Sequence, residues 1–313
     1  MKIRVSHLLP YSVFAFLLTA VLVSCGGAGT TSEFTEQIDE LEAKMKKWPS
    51  TEIASELIDH YQQYAGEHAG EPQKAAEAWY RKARYQLYLK RPAAATKTLR
   101  YALSHYRNTP AAYKMSLLLG DIWRTQPEKQ IAAQALYKLL PEAFPSHAEE
   151  ASHLKDSFGI AAIAPIPKLL DSLKLALYNS AQVRIDRSAG KQFVDIADTY
   201  ALLMPAKADA PTYLFDAAKV AGYLGDFSRS IDLYQTVYEQ FPDYEKTPQA
   251  IFMLGFVYDN DLKDFEKART YYELYLQKYP EGAFAEQVSF LLENLGKSPE
   301  ELLRELEAKN QQQ

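Results

Sequence analysis

The chain has 313 residues, 47% of them hydrophobic and 24% charged, and a formal net charge of −5. That acidic balance leaves no basic footprint for nucleic acid. A single cysteine, Cys25, excludes an internal disulfide, so stability has to come from a buried core, which by length fills one large or two ordinary domains.

Lys2 and Arg4 precede an apolar run from Leu8 to Val23. The run is shorter than the roughly 20 residues that cross a bilayer, and a basic start, an apolar middle and small residues at the end form the pattern of a cleaved signal. Leu22-Val23-Ser24-Cys25 resembles a bacterial lipobox. The resemblance implies that residues 1–24 are a lipoprotein signal peptide and that Cys25 becomes the lipidated N-terminus, which two or more acyl chains anchor stably. Loss of Lys2 and Arg4 takes the formal charge from −5 to −7. No acidic residue follows Cys25 directly and no acidic export run is present. By resemblance to enterobacterial lipoproteins, this implies an outer-membrane anchor facing the periplasm. Residues 25–32 carry GGAGTTS and read as a flexible tether.

From there the pattern is helical. Residues 34–47 and 51–65 predict a first pair. Residues 76–107 predict a second around Trp79, Ala83, Ala95, Leu99 and Ala102, with Pro92 opening its second helix, where a missing N–H is harmless. A third spans 113–145, with one extra residue between Gly120 and Ala133. These form an N-terminal half, 33–156. Residues 157–167 (SFGIAAIAPIP) are apolar and contain two prolines. They predict a packed joint, because a free linker would be polar; an apolar docking loop is the alternative. The C-terminal half, 168–296, opens with helices at 168–185 and 190–204. Two clearer units follow, Thr212–Pro242 and Gln249–Pro280, the latter with one extra residue in its turn, DNDLKD. A helix from 283 ends at Gly296. Ser298 and Pro299 then suit the cap and first turn of a last helix within a capping segment and tail, 297–313, whose final residues Asn310 to Gln313 should fray.

Self-comparison gives the organisation. At a constant offset of 135 positions, Tyr88-Leu89 falls on Tyr223-Leu224, Leu119-Gly120 on Leu254-Gly255, Ala133 on Ala268, Tyr137 on Tyr272 and Pro145 on Pro280. After a two-residue shift, Ala148-Glu149 falls on Ala285-Glu286. Within each half the small and aromatic positions resemble the tetratricopeptide repeat, a helix-turn-helix unit of about 34 residues. Thr212–Pro242 is the best copy, with Leu214, Ala217, Ala218 and Ala221 on one helix, the turn Gly225-Asp226-Phe227, then Ser230, Tyr234 and Val237. The resemblance implies an all-α, right-handed solenoid of helix pairs in two related halves.

No HExxH, GxSxG or phosphate-loop pattern is present, so no enzyme and no cofactor is expected. His147 and His153 flank Glu149 and Glu150. A spacing of six sets the two rings on different helical faces, so no metal site is expected either. The family generally binds peptide segments or partner domains on the inner face of its first helices. By register that face holds Tyr80, Arg84 and Tyr88; Lys114, Leu117, Asp121 and Arg124; Phe215, Lys219 and Tyr223; Phe252, Phe256 and Asp259. The Lys and Asn clamp of chaperone-type repeats is absent from it, and an apolar groove edged by Arg84 and Lys219 is expected. The Tyr-Pro and Phe-Pro repeat ends resemble the lipoprotein of the outer-membrane barrel-assembly machine and the coordinator of the Tol-Pal system. The function implied is a lipid-anchored scaffold for envelope proteins or peptide segments. The alternative, suggested by 22 tyrosines and 14 phenylalanines, is a glycan-binding outer-membrane lipoprotein of a nutrient-uptake system.

Overall fold

A computed structural model describes residues 30–157, 160, 163–177, 186–297, 300, 301 and 304. Among the described residues there are fourteen α-helices and no strand. They are α1 (Thr30–Lys47), α2 (Thr51–Glu67), α3 (Pro72–Tyr88), α4 (Pro92–Tyr106), α5 (Pro110–Arg124), α6 (Gln130–Ala143), α7 (Ala148–Ser157), α8 (Ile166–Leu177), α9 (Arg187–Leu203), α10 (Ala210–Tyr223), α11 (Phe227–Gln240), α12 (Thr247–Phe256), α13 (Phe265–Lys278) and α14 (Ala285–Glu293). The protein is an all-α solenoid of antiparallel helix pairs.

One boundary differs from expectation at the N-terminal end. Residues 30–32, expected in the tether, belong to α1, which starts at Thr30. Thr and Ser cost a helix only a few tenths of a kcal/mol each, less than the gain from lengthening a helix that is already nucleated. The signal peptide and Cys25 lie outside the described residues, as do 178–185 of the expected helix 168–185 and most of the capping segment 297–313.

Proline and aspartate set the helix starts. Pro72, Pro92 and Pro110 occupy first-turn positions of α3, α4 and α5, where proline's fixed φ suits the helix. Asp186, Asp226 and Asp264 accept backbone N–H bonds at the starts of α9, α11 and α13. The turns before α4, α11 and α13 each hold a left-handed residue: Lys90 (φ 56°), Gly225 (φ 79°) and Lys263 (φ 55°).

The extra residue that each half carries is absorbed differently. In the N-terminal half a 3-10 turn, Pro127–Lys129, precedes α6. In the C-terminal half α12 relaxes into a π-helical turn, Val257–Asp261, the usual way a single insertion is held inside a helix.

Successive helices stack from α1 to α6 and again from α8 to α14, but the two runs join out of sequence. α9 packs directly on α6 as well as on α8 and α10, and it touches α4. One continuous core therefore runs from Ala75 of α3 to Val257, just past α12. α7 seats on α6. Within the joint, Ile160 and Ile166 are buried in that core, and Lys138 on α6 donates through Nζ to the Ile163 carbonyl. A smaller cluster around Leu41, Leu57 and Tyr61 closes α1 onto α2 and α3, and another around Phe252, Tyr272 and Val288 holds α12 to α14.

Candidate protein-binding surfaces

The small residues of the repeat act through close approach. A Cβ on Gly120 would lie 2.8 Å from Tyr137 Cζ, and one on Gly255 would lie 2.5 Å from Tyr272 Cδ1. Each tyrosine is buried beneath its glycine and donates its hydroxyl back to the first helix, Tyr137 to Asp121 at 2.8 Å and Tyr272 to Asp259 at 3.2 Å. Two of the carboxylates expected on the inner face are thus engaged by their own repeats. Burial and the neighbouring carboxylate push both phenols above their ordinary range.

The other expected face residues divide in two. Phe215 and Phe252 are buried, contrary to the expectation of an open apolar groove. Phe215 packs edge-on to Tyr234 and Tyr244, and Phe252 stacks on Phe284 at 5.0 Å. The cause is the solenoid itself: Phe215 is covered by Tyr234 of its own pair and by Tyr244 on the way to the next, and Phe252 by Phe284 ahead of α14. Tyr80, Leu117, Lys219 and Phe256 are half-buried, while Arg84, Tyr88, Lys114, Asp121, Arg124 and Tyr223 are exposed. Arg84 lies over the Tyr80 ring at 5.9 Å. Arg84 and Tyr88 line a small cleft with Glu42, Met45 and Lys46 of α1.

Glu42 itself is held by Arg81 through both carboxylate oxygens, at 2.8 and 2.9 Å, and by the hydroxyls of Tyr61 and Tyr85. Burial works against its charge, but these donors hold its carboxyl below the usual range. Burial, with the same carboxylate beside it, pushes Tyr85 up to about 12. α1 is fixed by charge as well as by its apolar face.

A wider groove lies elsewhere. α4 and α11 form its walls and α9 its floor, enclosing about 780 Å³, within the range of ligand-binding clefts. All three are second helices of their pairs, so this groove opens on the opposite helix set from the expected one. At its base Asp198 is buried and bridges the two walls. It accepts from Arg100 Nη2 at 2.6 Å and from Arg229 Nη2. Burial would raise the Asp198 carboxyl, but the two guanidiniums hold it below the ordinary aspartate range. Lys129 pairs with Asp195, one turn earlier on α9, at 2.6 Å. Sequence offered one signal here: Asp198 interrupts the apolar stripe Val194, Ala197, Ala201 at helical spacing. Its partners stand 98 and 31 residues away, beyond any local pattern.

Of the histidines, His147 stacks on Tyr113 at 4.2 Å. Among the described residues no group of three or more His, Cys, Asp and Glu side chains is placed to hold a metal, and no helix is long and apolar enough to cross a membrane.

Residues 80–148 match one tetratricopeptide repeat family model and residues 249–282 match another. No curated protein matches the chain. Tetratricopeptide repeats are thus matched at two separate places in the chain, over α3–α6 and over α12–α13.

Proposed function

We propose that this tetratricopeptide-repeat chain is a non-catalytic scaffold that binds other proteins at the bacterial envelope, held to the outer membrane by lipid on Cys25. The repeats in both halves carry the reading, since stacked repeats of this kind build extended binding surfaces. An open groove of about 780 Å³ on the second helices supplies room for a partner. The anchor rests on the lipobox resemblance of Leu22-Val23-Ser24-Cys25, and the pathway, outer-membrane assembly or envelope maintenance, rests on the resemblance of the repeat ends.

In-cell photo-crosslinking from Tyr223, on the first helices, and from Thr236, in the groove, tests the scaffold. Envelope proteins captured from either position support it, and no protein adduct from both positions removes it. Cys25→Ala is expected to leave the fold intact and shift the protein from the membrane to the soluble fraction; retention on membranes in high salt would refute the lipid anchor.

A glycan reading has one observation in its favour. Tyr88 and Tyr223, which the internal offset makes equivalent, are 46% and 57% exposed, and exposed rings stack on sugars. Saturable heat on titration with oligosaccharides, lost in Tyr88→Ala with Tyr223→Ala, would replace the scaffold reading with this one.

A further inference from the structure

The groove between α4 and α11 has walls of opposite charge. Lys97 and Arg100 on α4 and Arg107 at its end line one side; on α11, Asp232 and Glu239 line the other, beside Arg229, whose charge Asp198 meets. Asp198 binds both Arg100 and Arg229, and Arg229 also feels Asp195 and Asp232, so the unmatched positive charge of the groove is on Lys97 and Arg107. Arg107 is half-buried at the end of α4, and burial pushes its guanidinium down. Neither Arg107 nor Lys97 has a carboxylate partner among the described residues, in a chain whose net charge is negative. A partly buried guanidinium without an anion is costly, and an incoming carboxylate relieves that cost through charge-assisted hydrogen bonds.

The spacing describes the occupant. Lys97 and Arg100 fall on adjacent turns of α4 and Arg107 two turns further on, at the residue that caps the helix, so the three span about 15 Å at 1.5 Å per residue. Arg229, Asp232, Thr236 and Glu239 do the same on α11. Two rows at helical pitch, one on each side of the groove, match a third helix whose own side chains repeat at i and i+4. The floor between them is apolar at Ala201 and Leu202.

We propose that this groove docks an amphipathic helical segment of a partner protein, with Asp or Glu along the edge facing Lys97, Arg100 and Arg107, an apolar face on α9, and neutral or basic residues facing Asp232 and Glu239. The proposal rests on the scaffold reading and names the site and the chemistry of the partner.

The test is selection of a displayed library of helical segments, about 15 residues long so that a helix is sustainable, on the full chain in detergent. The counter-selection uses the Lys97→Gln, Arg107→Gln double variant, whose thermal unfolding is checked against the parent. The expected result is enrichment of segments acidic along one edge, binding saturably, weakening as salt rises and losing about tenfold in affinity on the double variant. Arg84→Gln, on the first-helix face, should leave that affinity unchanged.

Enriched segments without an acidic edge, equal binding to the double variant, or sensitivity to Arg84→Gln instead would overturn the proposal. So would binding of phosphatidylglycerol vesicles through Lys97 and Arg107 with no peptide enrichment, which would make the groove a lipid-surface contact. Crosslinked partners from Tyr223 but none from Thr236 would remove the groove and keep the scaffold; none from either position would remove both.

Discussion

Gly255 and Tyr272 show how little room a single residue leaves. The ring occupies the space a Cβ would need, and it is anchored from its far end by Asp259, so it cannot swing aside cheaply. Gly255→Ala is expected to cost about 1 to 3 kcal/mol, the usual range for overpacking, measured as a lower urea midpoint with unchanged slope. Lys263 presents the opposite case, a side chain where glycine belongs. Its left-handed backbone (φ 55°) is strained by roughly 1 to 2 kcal/mol for an L-residue. Lys263→Gly should therefore stabilise by about 0.5 to 1 kcal/mol, the remainder being offset by glycine's freedom in the unfolded chain. Gly225, at the corresponding turn before α11, already makes that choice.

The helices follow closely from the order of their residues, because each start and stop is a local matter. The pairs α3–α4, α5–α6, α10–α11 and α12–α13 lie where small and aromatic periodicity places them. The two insertions were legible as extra residues, whereas their forms were not: a 3-10 turn and a π turn differ by which carbonyl each N–H finds, which residue type alone does not set. Related helices can be compared for their caps. Asp226 caps α11, but the equivalent position before α4 is Arg91, which makes no side-chain cap. Arg91→Asp is expected to add about 1 kcal/mol by satisfying an orphan N–H near the positive end of the helix, read as a higher melting temperature in the full chain.

At the scale of the molecule, Asp198 ties α4 of one half to α11 of the other through α9, a junction invisible to periodicity because its parts come from three distant segments. Asp198→Asn leaves two guanidiniums, each about a fifth exposed, without their charge partner and is expected to cost about 3 kcal/mol at neutral pH, the lower end for a broken buried pair. Because the native carboxyl titrates below its unfolded value, its contribution is complete above about pH 3.9 and disappears as the pH falls through the depressed native value. The stability gap between parent and variant should therefore close in acid, as followed by denaturant titrations across pH; a gap that stays constant would show that the charge does not carry the effect. The inner face was only partly legible for a related reason: Phe215 and Phe252 are large rings at the right register, and whether the next repeat covers such a ring depends on curvature, which no single repeat encodes.

The seat of α9 on α6 bears on how such a chain is assembled over generations. α7 stands to α6 as α14 stands to α13: each follows the last helix pair of its half and packs on that pair's second helix. A unit that closes with its own lid cannot be doubled by simple end-to-end addition, since the lid covers the surface on which the newcomer must land. Here the chain after α7 reaches past that lid and lands on α6 beside it through α9, so α7 and α9 share one seat. By the same geometry, a further pair of helices could seat beside α14 on α13 only by a similar detour.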